Sequence, residues 1–376
     1  MSRRALISTT AIFFFSVCLL LLTLFGDRSL FSLLWVSFKI LYVIGLSYLA
    51  LWFLLSRLLG AACGATALVN LSIALTATVL LLIGSEFALR FAFRDVSSVG
   101  DNLSYFQKRW GTAVRYNTWG FRERDFDPKK PVGTYRIAVI GDSLTFGPGI
   151  REQERFSNLL EERLNGKHGQ PYQVLNFGRP GAETTDELGF LTLAVLSNKP
   201  DFILLQWYIN DVEGNDKSET PRPFTIIPPD LRHGSALFYL VHRGLSHAQN
   251  RLGWVQDYDQ YMSAHFGDPN SPASLKATAT LSTFIEICRK FNIPLGLVLF
   301  SDSYFNPASN LDFLLEKTLG LCKEHSLRCL DTRGVLLPMQ GDRKLWASRF
   351  DPHPSAYANQ LVTDRLLETF GDMWSR

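Results

Sequence analysis

Ser143 sits in Gly141-Asp142-Ser143-Leu144-Thr145-Phe146-Gly147, directly after the apolar run Tyr135–Ile140 and ahead of an amphipathic stretch. A serine on a tight strand-to-helix turn presents its hydroxyl at the carboxyl edge of a sheet, with neighbouring N–H groups aimed at whatever it attacks. Alone, the same pattern serves equally well as a glycine-rich turn that starts a helix. Two further blocks follow later apolar runs. In Asn176-Phe177-Gly178-Arg179-Pro180-Gly181, Gly181 can bring a backbone N–H close to a developing oxyanion without a side chain in the way. In Tyr208-Ile209-Asn210-Asp211, the Asn210 amide can donate to the same oxygen. Each block singly is an ordinary turn or cap. Together they place three donors (Ser143, Gly181, Asn210) at one sheet edge.

A nucleophilic serine also needs a base. Of the seven histidines, His353 stands out in Asp351-Pro352-His353-Pro354, after the last apolar run and before the last amphipathic stretch. Prolines stiffen the segment, and a nearby carboxylate can orient the imidazole or its loop. His233, His242, His247 and His265 fall in a long insertion, where surface or packing roles are the simpler account, and His168 and His325 fall at helix ends. No Cys/His set has metal-ligand spacing, so no metal is expected. Cys18, Cys63 and Cys288 read as small buried hydrophobes, whereas Cys322 and Cys329, between a helix end and a strand start, either pair in an oxidising compartment or stay free.

These residues need a frame. From Tyr135 short apolar runs alternate with longer amphipathic ones, which is the signature of a parallel sheet flanked by helices. The expected strands are Tyr135–Ile140, Tyr172–Phe177, Phe202–Trp207, Pro294–Phe300 and Arg328–Asp331. The expected helices are Glu152–Leu164, Thr184–Ser197, Ser274–Phe291, Asn310–His325 and Ser355–Phe370. This is an α/β, three-layer, flavodoxin-like parallel sheet, with its site beyond the carboxyl ends of the strands. Residues 133–376 form that domain, 93–132 an aromatic-rich collar ahead of it, and 213–272 an insertion too long for an ordinary connection, read as a lid or substrate-shaping element.

The charge distribution separates the first quarter from the rest. Residues 1–92 hold six basic and two acidic side chains, so the formal +3 of the 376-residue chain divides as +4 there and −1 beyond. A near-neutral soluble part argues against a nucleic-acid partner, which requires a basic excess. Long uncharged runs in residues 1–92 give a multi-pass membrane region of about three transmembrane helices, 5–26, 36–56 and 66–90, the second the weakest because of Lys39. A cleaved signal peptide is the alternative for the first, disfavoured by its length and the lack of a small-x-small cleavage site. Arg3 and Arg4 place the amino terminus on the cytoplasmic side, and an odd number of spans then places the catalytic domain outside the cytoplasm.

The four blocks resemble those of the SGNH (GDSL-type) hydrolase superfamily, which supply Ser, Gly, Asn and His in that order, here Ser143, Gly181, Asn210 and His353. The resemblance covers about Tyr135 to Phe370. Tyr116-Asn117-Thr118-Trp119-Gly120-Phe121-Arg122 is similar to the lead-in of a subgroup that often carries amino-terminal membrane segments. The resemblance implies carboxylic-ester chemistry through an acyl-enzyme on Ser143 with His353 as base, and no cofactor. Tyr208 stands where the family has glycine, which narrows the site beside the oxyanion donors, and Tyr208 and Asp211 are the expected substrate-contacting positions. The family's Asp-x-x-His is here Asp351-Pro352-His353, so either Asp351, a backbone carbonyl or another acid orients the imidazole. The expected function is an esterase or deacetylase on O-acylated envelope glycans or lipids. The alternatives are an O-acetyltransferase served by a separate membrane acyl-donor protein, and a non-catalytic glycan-binding or assembly protein.

Overall fold

The computed structural model describes residues 11–18, 61–92, 115–167, 171–214, 221, 223–228, 235–304, 306–348 and 351–374. The chain divides into two compact units, one of Met1–Arg94 with Thr225–Leu245 and one of Asp95–Phe224 with Ser246–Arg376.

In the first unit residues 11–18 are helical, and the helix α1 runs from Ala61 to Ala92. Among the described residues this is the one helix long and apolar enough to cross a membrane, over Val69–Ala92. It extends past both ends of the expected 66–90 span, and near its end Glu86 and Arg90, one turn apart, pair at 2.7 Å. Of the other two expected spans, 36–56 lies outside the described residues, and only 11–18 of 5–26 is described.

The second unit is built on five parallel strands, β1 (Tyr135–Gly141), β2 (Tyr172–Gly178), β3 (Phe202–Trp207), β4 (Leu295–Leu299) and β5 (Arg328–Asp331), in the order β2-β1-β3-β4-β5. Every residue of β1, β3 and β4 is buried. That is why these strands read as continuous apolar runs instead of alternating ones, since both faces of a parallel sheet are covered by helices. One face carries Ala138, Ile140, Leu205 and Leu297 against α4 (Thr184–Phe190), α7 (Pro272–Lys290) and α8 (Asp312–Glu324). The other carries Ile137, Val139, Leu204 and Val298 against α3 (Phe156–Lys167) and α10 (Ala356–Trp374). Between these helices come α2 (Ser143–Phe146), α5 (Ala236–Arg251), α6 (Tyr258–Phe266) and α9 (Arg333–Leu336).

Three details differ from the sequence expectations. The helix expected over Thr184–Ser197 continues beyond Phe190 as a π turn, Leu191–Val195, and a 3₁₀ turn, Leu196–Asn198. Within the 213–272 stretch the described residues include α5 and α6, and Tyr261, Met262 and Phe266 of α6 are buried in the first core. A small antiparallel pair, β6 (Trp346–Ser348) and β7 (Asp351–Pro354), precedes α10. Cys322 at the end of α8 and Cys329 in β5 are joined by a disulfide, with Cα atoms 6.4 Å apart.

Candidate active site

β1 ends at Gly141, and the chain turns at once into the single turn of α2, with Asp142 as its cap and Ser143 as its first residue. The Asp142 carboxylate accepts the Leu144 N–H at 2.8 Å, satisfying one of the donors that every helix start leaves open. Gln206, a lone polar side chain in the otherwise apolar β3, braces the same turn. Its Oε1 accepts from Asp142 N (3.1 Å), Thr145 N (3.2 Å) and Thr145 Oγ1 (2.9 Å). Burial pushes the Asp142 carboxyl up to about 6, against the Leu144 N–H hydrogen bond and the nearby His353, which favour its ionised form.

α2 can lie this close to β2 only because residue 178 is glycine. A Cβ there would come within 2.4 Å of Phe146 N and 2.7 Å of Thr145 C, both backbone atoms that cannot step aside. From the collar, Arg122 holds the far end of α2. Its guanidinium donates to the carbonyls of Phe146 (3.1 Å), Gly147 (2.5 Å) and Ile150 (2.6 Å). The first two are carbonyls at the end of α2 that a short helix cannot pair internally. Desolvation and the neighbouring Arg155 lower Arg122 to about 10. Phe121, the preceding residue, packs edge-on against Phe177 and Phe190.

His353 arrives from the opposite side on β7. Its Nε2 lies 3.0 Å from Ser143 Oγ, and its Nδ1 lies 2.5 Å from Asp351 Oδ1. Residues two apart on a strand share a face. The Asp351-Pro352-His353 spacing therefore reaches the imidazole from an extended backbone, and the same Asp351 oxygen also accepts the His353 N–H at 3.1 Å. Asp351 is 2% exposed.

The second and third blocks meet one another beside this trio. Asn210 donates from Nδ2 to the carbonyl of Ala182 at 2.9 Å. That contact ties the turn after β3 to the turn holding Gly181. Gly181 has φ +72°, a left-handed value natural to glycine, and a Cβ added there would meet nothing within 4 Å, so the space over its backbone is open. Asp211 is buried, and its Oδ2 accepts the Tyr208 N–H at 2.7 Å, which makes it a brace of its own turn. Tyr208 donates its hydroxyl to the Asp302 carboxylate, just beyond β4. Ser143, His353 and Asp351 thus form one connected set, and Gly181 and Asn210 are brought together through Ala182. Asp211 faces the backbone of its turn, and Tyr208 is anchored to Asp302. A separate cavity between the sheet and α7 and α8, lined by Trp207, Asp211, Leu281 and Lys317, includes neither Ser143 nor His353.

Sequence reasoning did not single out Gln206, Arg122 or Asp302. A polar residue inside an apolar strand was the available signal for Gln206, and the quoted lead-in segment was the signal for Arg122. Asp302 had none, because its partner is 94 residues away. Among the described residues no group of His, Cys, Asp and Glu side chains is arranged to hold a metal ion.

A doubly covered parallel sheet carrying these four blocks at its carboxyl edge defines the SGNH class of α/β hydrolases. A family model for GDSL-like lipases and acylhydrolases matches residues 139–361, more than half of the chain, and the protein belongs to that family. No curated protein matches the chain in sequence. Similar solved structures include a lipase/acylhydrolase from Enterococcus faecalis, 16% identical with a TM-score of 0.41, covering 64% of this chain and 96% of its own. Another is an acetylxylan esterase from Geobacillus stearothermophilus, 16% identical with a TM-score of 0.40, covering 66% and 99%.

Proposed function

We propose that the protein is a membrane-anchored serine hydrolase that cleaves acyl esters on O-acylated glycans or lipids of the cell envelope. The observation that carries the reading is the connected set Ser143 Oγ, His353 Nε2 at 3.0 Å, and Asp351 Oδ1 at 2.5 Å from Nδ1. In this reading Ser143 Oγ attacks the ester carbonyl carbon as its proton passes to His353 Nε2. The carbonyl π electrons move onto oxygen, and the Ser143 and Gly181 N–H groups and the Asn210 amide stabilise that oxyanion. Collapse of the tetrahedral intermediate expels the alcohol, protonated by His353, and leaves Ser143 acylated. A water molecule, deprotonated by His353, then attacks the acyl-enzyme and restores Ser143.

The substrate class follows from location. The apolar helix Val69–Ala92 supports an anchor, and the Cys322–Cys329 disulfide supports a domain outside the reducing cytoplasm. An anchored enzyme there meets acylated polysaccharide and lipid. Tyr208, in place of glycine beside the oxyanion donors, favours a small acyl group such as acetyl.

The test is fluorophosphonate labelling of the full chain in detergent, followed by p-nitrophenyl acetate turnover, with Ser143→Ala as control. Labelling and turnover that vanish in S143A support the reading. Absence of both in folded protein would sink the enzyme reading and leave a binding or assembly role. Labelling with turnover only in the presence of an added alcohol acceptor would convert the hydrolase into a transferase.

A further inference from the structure

Glu86 lies in the apolar part of α1, six residues before its end at Ala92, and is 1% exposed. A carboxylate in such a segment is costly unless its charge is met by donors. Here four converge on it. Arg90 Nε donates to Oε1 at 2.7 Å, Ser235 Oγ to Oε2 at 2.7 Å, Ala236 N to Oε1 at 3.0 Å and Leu237 N to Oε2 at 2.9 Å. The last two are the first two N–H groups of α5, which a helix cannot pair internally and whose partial positive charge favours an anion. Glu86 therefore caps α5 from 150 residues away, and at 1.5 Å per residue that cap lies about 9 Å from the end of α1.

The sequence of α5 is segregated. Leu237, Val241, Leu245 and Ala248 recur at helical spacing on one face, Arg243 and His247 lie away from it, Leu240 and Arg251 fall between the two, and no acidic residue occurs in its 16 positions. The helix buries Ala236 and Tyr239 and leaves its apolar stripe open, with Val241 45% and Leu245 44% exposed. An apolar face opposite a cationic one is the pattern of a helix lying in the plane of a membrane surface.

We propose that α5 is an interfacial membrane helix. Its start is pinned by Glu86 to the membrane span, Val241 and Leu245 enter the acyl-chain boundary, and Arg243 and Arg251 meet anionic headgroups. The occupant of the open face is the bilayer because the face begins at the capped end, beside the span, and its charged side complements anionic lipid. This inference rests on the reading of Val69–Ala92 as a membrane span.

The experiment uses the full chain, with Cys18, Cys63 and Cys288 replaced by Ala, in vesicles of phosphatidylethanolamine and phosphatidylglycerol. Nitroxide labels are placed singly through Leu81→Cys, Val241→Cys, Leu245→Cys, Arg243→Cys and His247→Cys, and collision with oxygen is compared with collision with a water-soluble nickel chelate. Leu81, 69% exposed on α1, reports the span itself. Oxygen-dominated collision at 81, 241 and 245 with chelate-dominated collision at 243 and 247 is the expected result. An oxygen-dominated label at 81 together with water-type labels at 241 and 245 overturns this inference and leaves the anchor standing. Labels at 241 and 245 shielded from both agents also overturn it, since a protein partner or a second copy then covers the face. A water-type label at 81 overturns the anchor and the inference together. Glu86→Leu should abolish the lipid-type signal at 241 and 245 and keep it at 81; retention of all three would remove the pinning role of Glu86.

Discussion

Asp351 and His353 are separated by a single proline, yet the carboxylate oxygen of one lies 2.5 Å from the ring nitrogen of the other. The contact exists because β7 is extended, so the two side chains leave the backbone on the same face. His353 is then presented to Ser143 through its other nitrogen, with ring orientation set by Asp351.

Asp351→Asn keeps an acceptor for the His353 N–H but can no longer hold the imidazole in the tautomer that accepts the serine proton. Its kcat on p-nitrophenyl acetate should fall on the order of 10⁴-fold with the fold intact by circular dichroism. A loss of less than about tenfold would assign the orienting role to another group.

Asn210 donates an amide hydrogen to the Ala182 carbonyl, and the proposed mechanism assigns its amide to the oxyanion as well. Asn210→Ala should lose ~100- to 1,000-fold in kcat, equivalent to about 2.7–4 kcal/mol of barrier. Steady-state kinetics at saturating substrate checks this, because the missing donor acts on the transition state and leaves KM nearly unaltered. A change confined to KM would remove Asn210 from the oxyanion site.

Gly178→Ala drives a Cβ to within 2.4 Å of the Phe146 N atom. Backbone must move to accept it, at a cost of roughly 1–3 kcal/mol. Chemical denaturation should show that loss, and turnover should fall with it because the displaced atoms belong to the turn that carries Ser143. A stable, fully active variant would show that α2 does not depend on this close approach.

The buried Asp142 carboxyl is pushed from 3.8 up to about 6 in the folded state. The folded protein therefore binds this proton more tightly than the unfolded chain between about pH 4 and 6. Its contribution favours folding below about pH 4 and is lost as pH rises through about 6, by up to about 3 kcal/mol. Asp142→Asn retains an acceptor for the Leu144 N–H and removes the titration. Stability measured from pH 4 to 7 should thus decline less steeply in D142N than in the parent chain, and parallel curves would show that Asp142 does not carry this dependence.

Much of the molecule is legible from local pattern. The five strands of the parallel sheet are visible as apolar runs because burial on both faces demands them, and each of their boundaries lies within a residue of the expectation. The Ser143, Gly181 and Asn210 blocks stand where parallel strands end and the His353 block stands just before the last helix, which is why their types and order already indicate acyl chemistry. Helix ends were less visible: the Thr184–Ser197 expectation broke into α, π and 3₁₀ turns, since backbone hydrogen-bond register is not encoded in apolar spacing.

Sequence alone therefore determined the layer architecture and the chemical inventory, because periodicity and residue type are local properties. Tertiary structure decided which groups act on one another. Gln206 reaches Asp142 across 64 residues, and Arg122 reaches Gly147 across 25. Glu86 reaches Ser235 across 149. The physical reason is common to all three: a buried polar group must find a partner when water is excluded, and the folded topology decides which distant group is within reach.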